Sequence, residues 1–128
     1  MGMETIEIKA FVPARDFDLS RRFYQDLGFT EGWASDAMAQ MIAGHCTFLL
    51  QKFYVREHAE NFMMHMLVAD VEAWWQHVVA QDLAARYGVR VIPPQDQPWG
   101  IRDFCIVDPT SVLWRIGQEL PNTTAPEA

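Results

Sequence analysis

The sequence has little cysteine, few basic residues and no long apolar run, and each of these shortages excludes a class of protein. Cys46 and Cys105, the only cysteines among 128 residues, stand apart in apolar segments, so no disulfide framework or thiolate metal site is expected. We expect both to be buried free thiols. The 10 Lys and Arg are outnumbered by 17 Asp and Glu, giving a formal net charge of -7, which repels a nucleic-acid backbone.

Segments that direct a chain to or through a membrane are also missing. No stretch approaches the roughly 18 consecutive apolar residues of a membrane-spanning helix, and residues 1–7 contain no basic region followed by an apolar one. These absences predict a cytoplasmic protein without membrane or nucleic-acid partners. Since 50% of the residues are hydrophobic and the length is near the commonest size for one domain, we expect a single domain over residues 1–128.

The two halves of the chain repeat one layout. In each half an extended apolar run is followed by an Asp that suits a helix N-cap, Asp16 or Asp70, because its carboxylate accepts bonds from the free N–H groups of the first turn. Each helical segment then ends at a glycine, Gly28 or Gly88, the residue that most readily adopts the left-handed conformation typical of a helix C-terminus. Such a repeat predicts two copies of one supersecondary unit.

Short extended runs surround each predicted helix, one before it and three after it. Two modules of β-α-β-β-β order follow, at about residues 5–53 and 62–118, joined by a polar connection and followed by a frayed tail at 121–128. The fold class is therefore predicted to be α+β, with two tandem modules forming a cupped mixed sheet. The eight strands are expected at residues 6–12, 30–35, 38–43 and 46–53, and at 62–68, 90–92, 102–107 and 112–116.

Two motifs resemble a known family. The first runs from Val12-Pro13-Ala14-Arg15-Asp16 to Leu27-Gly28-Phe29, and the second is Pro98-Trp99-Gly100-Ile101-Arg102-Asp103-Phe104, followed by Asp108-Pro109. With the modular repeat they are similar to the vicinal oxygen chelate superfamily, which includes glyoxalase I, extradiol dioxygenases and bleomycin resistance proteins, and within it to the bleomycin resistance branch. One departure is visible: where that branch usually has D-P-x-G-N, this chain has Ser111 in place of the glycine.

The resemblance implies four metal-ligand positions in the enzymes of the superfamily, and this chain does not fill them. The three positions that can be counted from the motifs hold Lys9, Met63 and Arg115. Two cations and a thioether do not suit a hard divalent metal. Gln51 is nearest to the remaining position, and a single amide does not hold a metal. We therefore expect no metal, no cofactor and no catalytic residue.

His65 supports an alternative hypothesis, because strand alternation returns it to the face of Met63. An irregular metal site formed by Glu7, Gln51 and His65 would make the chain a metal-dependent lyase, isomerase or dioxygenase of the glyoxalase type. Metal sites need three or four convergent ligands with a supporting shell, so this hypothesis is the second choice. A third possibility is a structural or interaction dimer, in which the charges of Lys9 and Arg115 are paired internally and the cavity is closed.

The function predicted first is that of a metal-free small-molecule binding protein. A tryptophan held in a stiff, proline-flanked loop stacks on planar or cationic ligands at little entropic cost, and the resemblance implies a homodimer with its clefts at the subunit interface. The charge of the ligand stays open, since the acidic chain favours a cation whereas inward-facing Lys9 and Arg115 favour an anion or zwitterion. The predicted ligand-binding residues are Lys9, Phe11, Trp33, Gln51, Met63, His65, Trp99, Arg102 and Arg115.

Overall fold

Eight strands and four helices make up the part of the chain that the computed structural model describes, residues 1–121. The predicted frayed tail lies outside this part, apart from Pro121. Within the described residues, no helix is long and apolar enough to cross a membrane. In chain order the elements are β1 (Phe11–Pro13), α1 (Phe17–Leu27), β2 (Thr30–Ala34), β3 (Met38–Ala43), β4 (Cys46–Gln51), α2 (Arg56–Glu60), β5 (Met63–Leu67), α3 (Val71–Ala80), α4 (Leu83–Tyr87), β6 (Val91–Asp96), β7 (Ile101–Val107) and β8 (Leu113–Glu119).

The strands form two four-stranded mixed sheets, one for each half of the chain. Sheet A has the order β1-β4-β3-β2 and sheet B has the order β5-β8-β7-β6. In each sheet the first strand of the module pairs in parallel with the last, and the other neighbours are antiparallel. This arrangement confirms the predicted α+β fold built from two β-α-β-β-β modules. The connection between the modules also contains the short helix α2, which the sequence pattern does not predict.

The predicted helix caps lie where the sequence places them. The carboxylates of Asp16 and Asp70 each accept a hydrogen bond from the amide three residues along the chain, at 3.1 Å in both cases. Gly28 follows α1 with φ 131°, and Gly88 follows α4 with φ 62°. These positive φ values explain why glycine ends both helical segments.

The second long helix is interrupted, contrary to the expectation of one continuous helix. α3 ends at Ala80 and α4 begins at Leu83, and Asp82 between them has a left-handed φ of 51°. Asp reaches this region more readily than most residues because its short side chain bonds locally. Arg86 donates to the carbonyl of Gln81 at 2.9 Å. This hydrogen bond replaces the helical one that the Gln81 carbonyl lacks at the break.

The first strand is much shorter than predicted. Residues 6–12 were expected to pair, whereas β1 contains only Phe11–Pro13. The carbonyl of Ala10 still accepts a hydrogen bond from the amide of Leu49 at 3.0 Å, but the residues before it leave the sheet, although β4 continues to Cys46. Ile6 and Ile8, which fall within the predicted strand, are 99% and 95% exposed. The first ten residues therefore extend from sheet A as an arm.

A single hydrophobic core joins both modules. Aromatic rings from the two halves meet in it, and the ring centroids of Phe48 on β4 and Trp114 on β8 are 5.2 Å apart. Each sheet packs one face against this shared core and leaves its other face open; we name these open face A and open face B. Open face A comprises Phe11, Pro13, Met38, Gln40, Ile42, Thr47, Leu49 and Gln51, and open face B comprises Met63, His65, Leu67, Ile101, Asp103, Cys105, Val107, Leu113, Arg115, Gly117 and Glu119.

A chain of hydrogen bonds inside the core links the modules. Trp114 Nε1 donates to the Tyr24 hydroxyl at 2.8 Å, and Tyr24 donates to Asp108 Oδ2 at 2.5 Å. The other carboxylate oxygen of Asp108 accepts from the amides of Thr110 and Val112.

Burial raises the pKa of Asp108 to about 6, although these hydrogen bonds oppose the rise. Burial, reinforced by the Asp108 charge, also holds the pKa of Tyr24 well above its ordinary value, so the hydroxyl keeps its proton and acts as donor.

The turn between β7 and β8 closes without glycine, and Ser111 takes a left-handed conformation with φ 80°. A residue with a Cβ pays about 1–2 kcal/mol for this conformation. Ser111→Gly is therefore expected to raise the free energy of unfolding by about 1 kcal/mol, because the relief of strain is partly cancelled by the greater freedom of glycine in the unfolded chain. Urea unfolding measures the difference. Ser111→Ala keeps the strain, so an equal gain in that variant would contradict the explanation.

Candidate functional site

Open face B carries a charged centre that apolar side chains flank along β5. The register of β5, β8 and β7 places His65, Arg115 and Cys105 side by side in the middle of the face. Met63 and Leu67, on either side of His65 along β5, are 57% and 49% exposed. The flanking rows across the three strands are Met63, Leu113 and Val107, and Leu67, Gly117 and Asp103.

Trp99 covers part of this face from the turn between β6 and β7. The turn is tied by a hydrogen bond from the amide of Gly100 to the carbonyl of Gln97 at 3.1 Å, and the fixed φ of Pro98 stiffens it further. The guanidinium carbon of Arg115 lies 5.9 Å from the centre of the Trp99 ring, within the range of a cation–π contact. Because Trp99 is still 47% exposed, much of its ring remains accessible to a ligand.

Arg115 is held by Asp103, a residue that sequence reasoning missed as part of the site. Arg115 Nη1 donates to Asp103 Oδ2 at 3.1 Å, and Gln97 Nε2 donates to Asp103 Oδ1 at 3.0 Å. The Asp103 side chain is 2% exposed and that of Arg115 is 31% exposed. The signal in the sequence is a lone acid inside the largely apolar run 101–107, because a buried acid requires a partner.

Open face A is largely uncharged and partly aromatic. Phe11 and Phe53 are 52% and 50% exposed, and with Gln51 they line a cavity of about 230 Å³ that also reaches α2 and the residue before β5. His58 of α2 lines the same cavity. This volume lies below the range of about 300–1,000 Å³ typical of drug-sized sites. Open face A by itself is therefore a depression rather than a complete site.

Two predicted binding residues lie at the margins of open face A. Lys9 precedes β1 and forms an ion pair with Glu7, which offsets its charge within the arm. Trp33, 47% exposed, lies on β2, at the edge of sheet A opposite β1. The structure does not bring it beside Trp99. The predicted residues that do come together are Met63, His65, Trp99 and Arg115 on open face B, and Phe11 and Gln51 on open face A.

Arg102 lies on the opposite side of β7 from open face B. Its Nε donates to Glu72 Oε1 at 2.7 Å and its Nη1 donates to Asp96 Oδ1 at 3.0 Å. Strand alternation explains this placement, because the neighbouring residue Asp103 points to the open face. We therefore leave Arg102 out of the candidate site.

The packing corrects the expectation that both cysteines are buried. Cys46 is exposed, whereas Cys105 is buried as expected, because Cys46 is the first residue of β4 and follows a surface turn. A histidine on α3 joins two helices: His77 Nε2 lies 2.7 Å from the carbonyl oxygen of Asp26. This bond connects α3 to the last turn of α1.

The open faces do not supply the ligand set of a divalent metal. In the part of the chain that the structure describes, no group of three His, Cys, Asp or Glu side chains converges. His65 has the cation Arg115 as its neighbour, Gln51 lies on the other open face, and Glu7 pairs with Lys9. Since the adjacent cation opposes binding of a hard divalent ion, the irregular site built on His65 does not assemble within one chain.

A larger cavity, of about 540 Å³, lies where α4, the β7–β8 turn and α1 meet, and it reaches the edge of open face B through Val107 and Leu113. Its buried acid is Asp108, and both oxygens of that carboxylate are already hydrogen-bonded within the protein. The cavity therefore gains no free acceptor from it, and we do not place the site there.

Comparisons with known proteins can be set beside this geometry. A family model described as the Glyoxalase/Bleomycin resistance protein/Dioxygenase superfamily matches residues 7–116. A search of curated proteins found no match. A solved bleomycin-binding protein complexed with bleomycin has a TM-score of 0.75 and 22% identity, over 90% of this chain and 99% of that one.

Two other solved structures show how widely the fold is used. The bleomycin-binding protein from Streptomyces verticillus complexed with copper(II)-bleomycin has a TM-score of 0.72 and 21% identity, over 97% of this chain and 100% of that one. Lactoylglutathione lyase from Agrobacterium tumefaciens has a TM-score of 0.68 and 15% identity, over 91% of this chain and 95% of that one. These likenesses establish the fold, which hosts both a binder and a lyase. The match of the family model over both modules establishes more: the chain belongs to the glyoxalase/bleomycin resistance protein/dioxygenase superfamily.

Proposed function

We propose that this protein is a metal-free small-molecule binding protein, which sequesters an amphipathic aromatic or charged ligand in a cleft between two copies of the chain. The observation that carries the proposal is the half-exposed ring of Trp99, held over Arg115 by a tight turn on open face B. A ring fixed in this way stacks on a planar ligand with little further loss of freedom. The likeness to bleomycin-binding proteins supports the same class of function.

A second copy of the chain supplies the cover that each open face lacks. Within one chain, Thr47 of open face A and His65 and Leu67 of open face B line a common cavity of only about 210 Å³, which is below the range of about 300–1,000 Å³ typical of drug-sized sites. Phe11 on open face A and Met63 and Leu67 on open face B expose about half of their surface or more, and exposed apolar side chains of this size are typical of an interface. A two-fold dimer that sets open face B of one copy against open face A of the other covers both faces and creates two equivalent clefts.

Binding rather than covalent catalysis is supported by the state of the thiol on open face B. Burial raises the pKa of the Cys105 thiol, although the nearby Arg115 opposes the rise. A thiol that keeps its proton is a poor nucleophile. Cys105 therefore serves as a small apolar side chain beneath the cleft.

We place the protein in the cytoplasm and propose a small molecule, rather than a nucleic acid, as its partner. The exposed thiol of Cys46 and the buried thiol of Cys105 are both free, as is usual in a reducing compartment. The net charge of -7 disfavours contact with a phosphate backbone.

Trp99→Ala is expected to weaken ligand binding about tenfold, because stacking on an aromatic ring contributes roughly 1–1.5 kcal/mol. Titration calorimetry with metal-free bleomycin and with planar aromatic compounds measures the dissociation constants. Val79→Ala is the control, since it removes an exposed apolar side chain from α3, away from both open faces, and is expected to leave affinity unchanged.

The same titrations in EDTA separate the proposal from its metal-dependent alternative. Affinity is expected to be the same with and without the chelator, because the open faces lack a ligand set for a divalent ion. Failure of every compound to bind the wild-type protein at millimolar concentration would contradict a binding function. Binding that is lost in EDTA and restored by zinc, nickel or manganese would favour the metal-dependent alternative.

A further inference from the structure

The charge that a ligand meets beneath Trp99 is set by two residues. Arg115 lies under the ring and pairs with Asp103. The other acid of open face B, Glu119, pairs in register with Ile101 near the same turn, but it is exposed at the end of β8, where water and salt screen its charge. The ligand's charge preference therefore depends on the Arg115–Asp103 pair.

The two charges of this pair are not equally accessible. Asp103 is 2% exposed, and its two oxygens accept hydrogen bonds from Gln97 and Arg115. Arg115 is 31% exposed. The pair is thus a dipole whose positive end faces the cleft, and a cationic ligand would meet that end without a free carboxylate to balance it.

Most of the hydrogen-bonding capacity of Arg115 remains for a ligand. A guanidinium has five N–H donors, and the described residues engage it through Nη1 alone. The free donors lie in one plane, in a fork that matches two oxygens of a carboxylate, sulfonate or phosphate. His65, beside Arg115 on the neighbouring strand, offers a further donor. The Trp99 ring shields one side of the group from water, which strengthens an ionic contact.

We propose, on the basis of the proposed binding function, that the ligand carries an anionic oxygen group attached to a flat ring, with the anion bound by Arg115 and the ring stacked on Trp99. The acidic surplus of the chain lies outside this contact and is screened by salt. The preference for an anion is therefore local, and it is opposite in sign to what the net charge of -7 suggests.

Three pyrene derivatives test this charge preference at constant ring size: pyrene-1-carboxylate, pyrene-1-methylammonium and the neutral pyrene-1-methanol. Titration calorimetry of the wild-type protein is expected to give a dissociation constant at least about tenfold lower for the carboxylate than for the ammonium compound. Raising KCl from about 50 to about 500 mM is expected to weaken carboxylate binding several-fold and to leave the neutral compound unaffected.

Two variants with the same change in net charge show whether Arg115 causes the preference for the carboxylate. Arg115→Gln removes the cation and retains an amide that bonds Asp103, so it is expected to abolish the preference for the carboxylate. Arg102→Gln removes an equal charge on the other side of β7 and is expected to keep it. The inference is overturned if the wild-type protein binds the ammonium compound as tightly as the carboxylate, if salt affects neither, or if Arg115→Gln retains the preference. Equal binding of all three compounds refutes only the proposed preference for an anion. If the wild-type protein binds none of them, the proposed binding function is refuted as well.

Discussion

Leu67→Asp is expected to raise the dissociation constant of the proposed dimer at least about 100-fold while leaving the single chain folded. Leu67 is 49% exposed on β5, the edge strand of sheet B, so the change affects the isolated chain by about 1 kcal/mol or less. In a dimer that covers open face B the same position loses its water, and an unpaired carboxylate in apolar surroundings costs several kcal/mol. A 100-fold effect requires about 2.7 kcal/mol, which lies within that penalty.

Sedimentation equilibrium measures this effect, and a second exposed apolar residue provides the control. Val79 on α3 is 59% exposed but lies away from both open faces, so Val79→Asp is expected to leave the dimer intact. Equal dimerisation of the Leu67→Asp and Val79→Asp variants would show that open face B is not the interface. Ligand affinity is expected to fall with the dimer, because the cleft needs both copies.

Tyr24→Phe is expected to lower the free energy of unfolding by about 2 kcal/mol at pH 5 and by about 3–4 kcal/mol at pH 8. The hydroxyl accepts from Trp114 and donates to Asp108, and its removal leaves both buried partners without that bond. Because the Tyr24 bond lowers the pKa of Asp108, losing it moves that pKa further upward. At pH 8 the variant must bury an ionised Asp108 without the Tyr24 hydrogen bond. This costs more than burying a protonated Asp108 at pH 5.

The pH dependence in the wild-type protein follows from the raised pKa of Asp108. The folded value of about 6 lies above the ordinary 3.8, so the folded chain holds the proton more tightly than the unfolded chain. The resulting stabilisation is fully present below about pH 4 and is lost as pH rises through about 6. It amounts to about 3 kcal/mol. Asp108→Asn does not titrate, so its stability profile is expected to lack this component.

Urea unfolding between pH 4 and pH 8 measures both the stability loss of Tyr24→Phe and the pH dependence of the wild-type protein. Tyr87→Phe is a matched control. The Tyr87 hydroxyl also donates to a carboxylate, that of Asp26, at 2.5 Å. Asp26 keeps a second partner in Arg86 and is partly exposed, so the change is expected to be about 1 kcal/mol or less and independent of pH. An equal loss in the Tyr24 and Tyr87 variants, or a Tyr24→Phe loss that does not grow with pH, would contradict the role given to the buried network.

Features that depend on a few neighbouring residues were predictable from the sequence. Asp16 and Asp70 cap their helices because an N-cap bond spans only three residues, and Gly28 and Gly88 end them because their backbone requires a positive φ. The same locality explains why the order of strands and helices in each module was predictable. For open face B, strand alternation places Met63 and His65 on one side of β5, and the resemblance to the family implied that Arg115 faces the same side of the sheet.

Features that depend on distant partners were not predictable in this way. The length of β1 depends on how far the chain stays beside β4, a strand far along the chain. Asp103 joins the site because β7 lies beside β8 and because Gln97 folds over it from a turn. Arg102, one residue earlier, pairs instead with an acid on α3. Which arginine faces a ligand is therefore decided by sheet register and helix packing together.

The buried network shows that the two repeated halves have lost their equivalence. Eight residues beyond its capping Asp, α1 carries Tyr24, whereas α3 carries Val78 at the same distance from its own. Val78 is as deeply buried but brings only methyl groups. A protein assembled from two copies of the first half would contain two hydroxyls in its core and no Asp108 to receive them. If the chain arose by duplication, neither half can now replace the other, because the donor has stayed in one and the acceptor in the other.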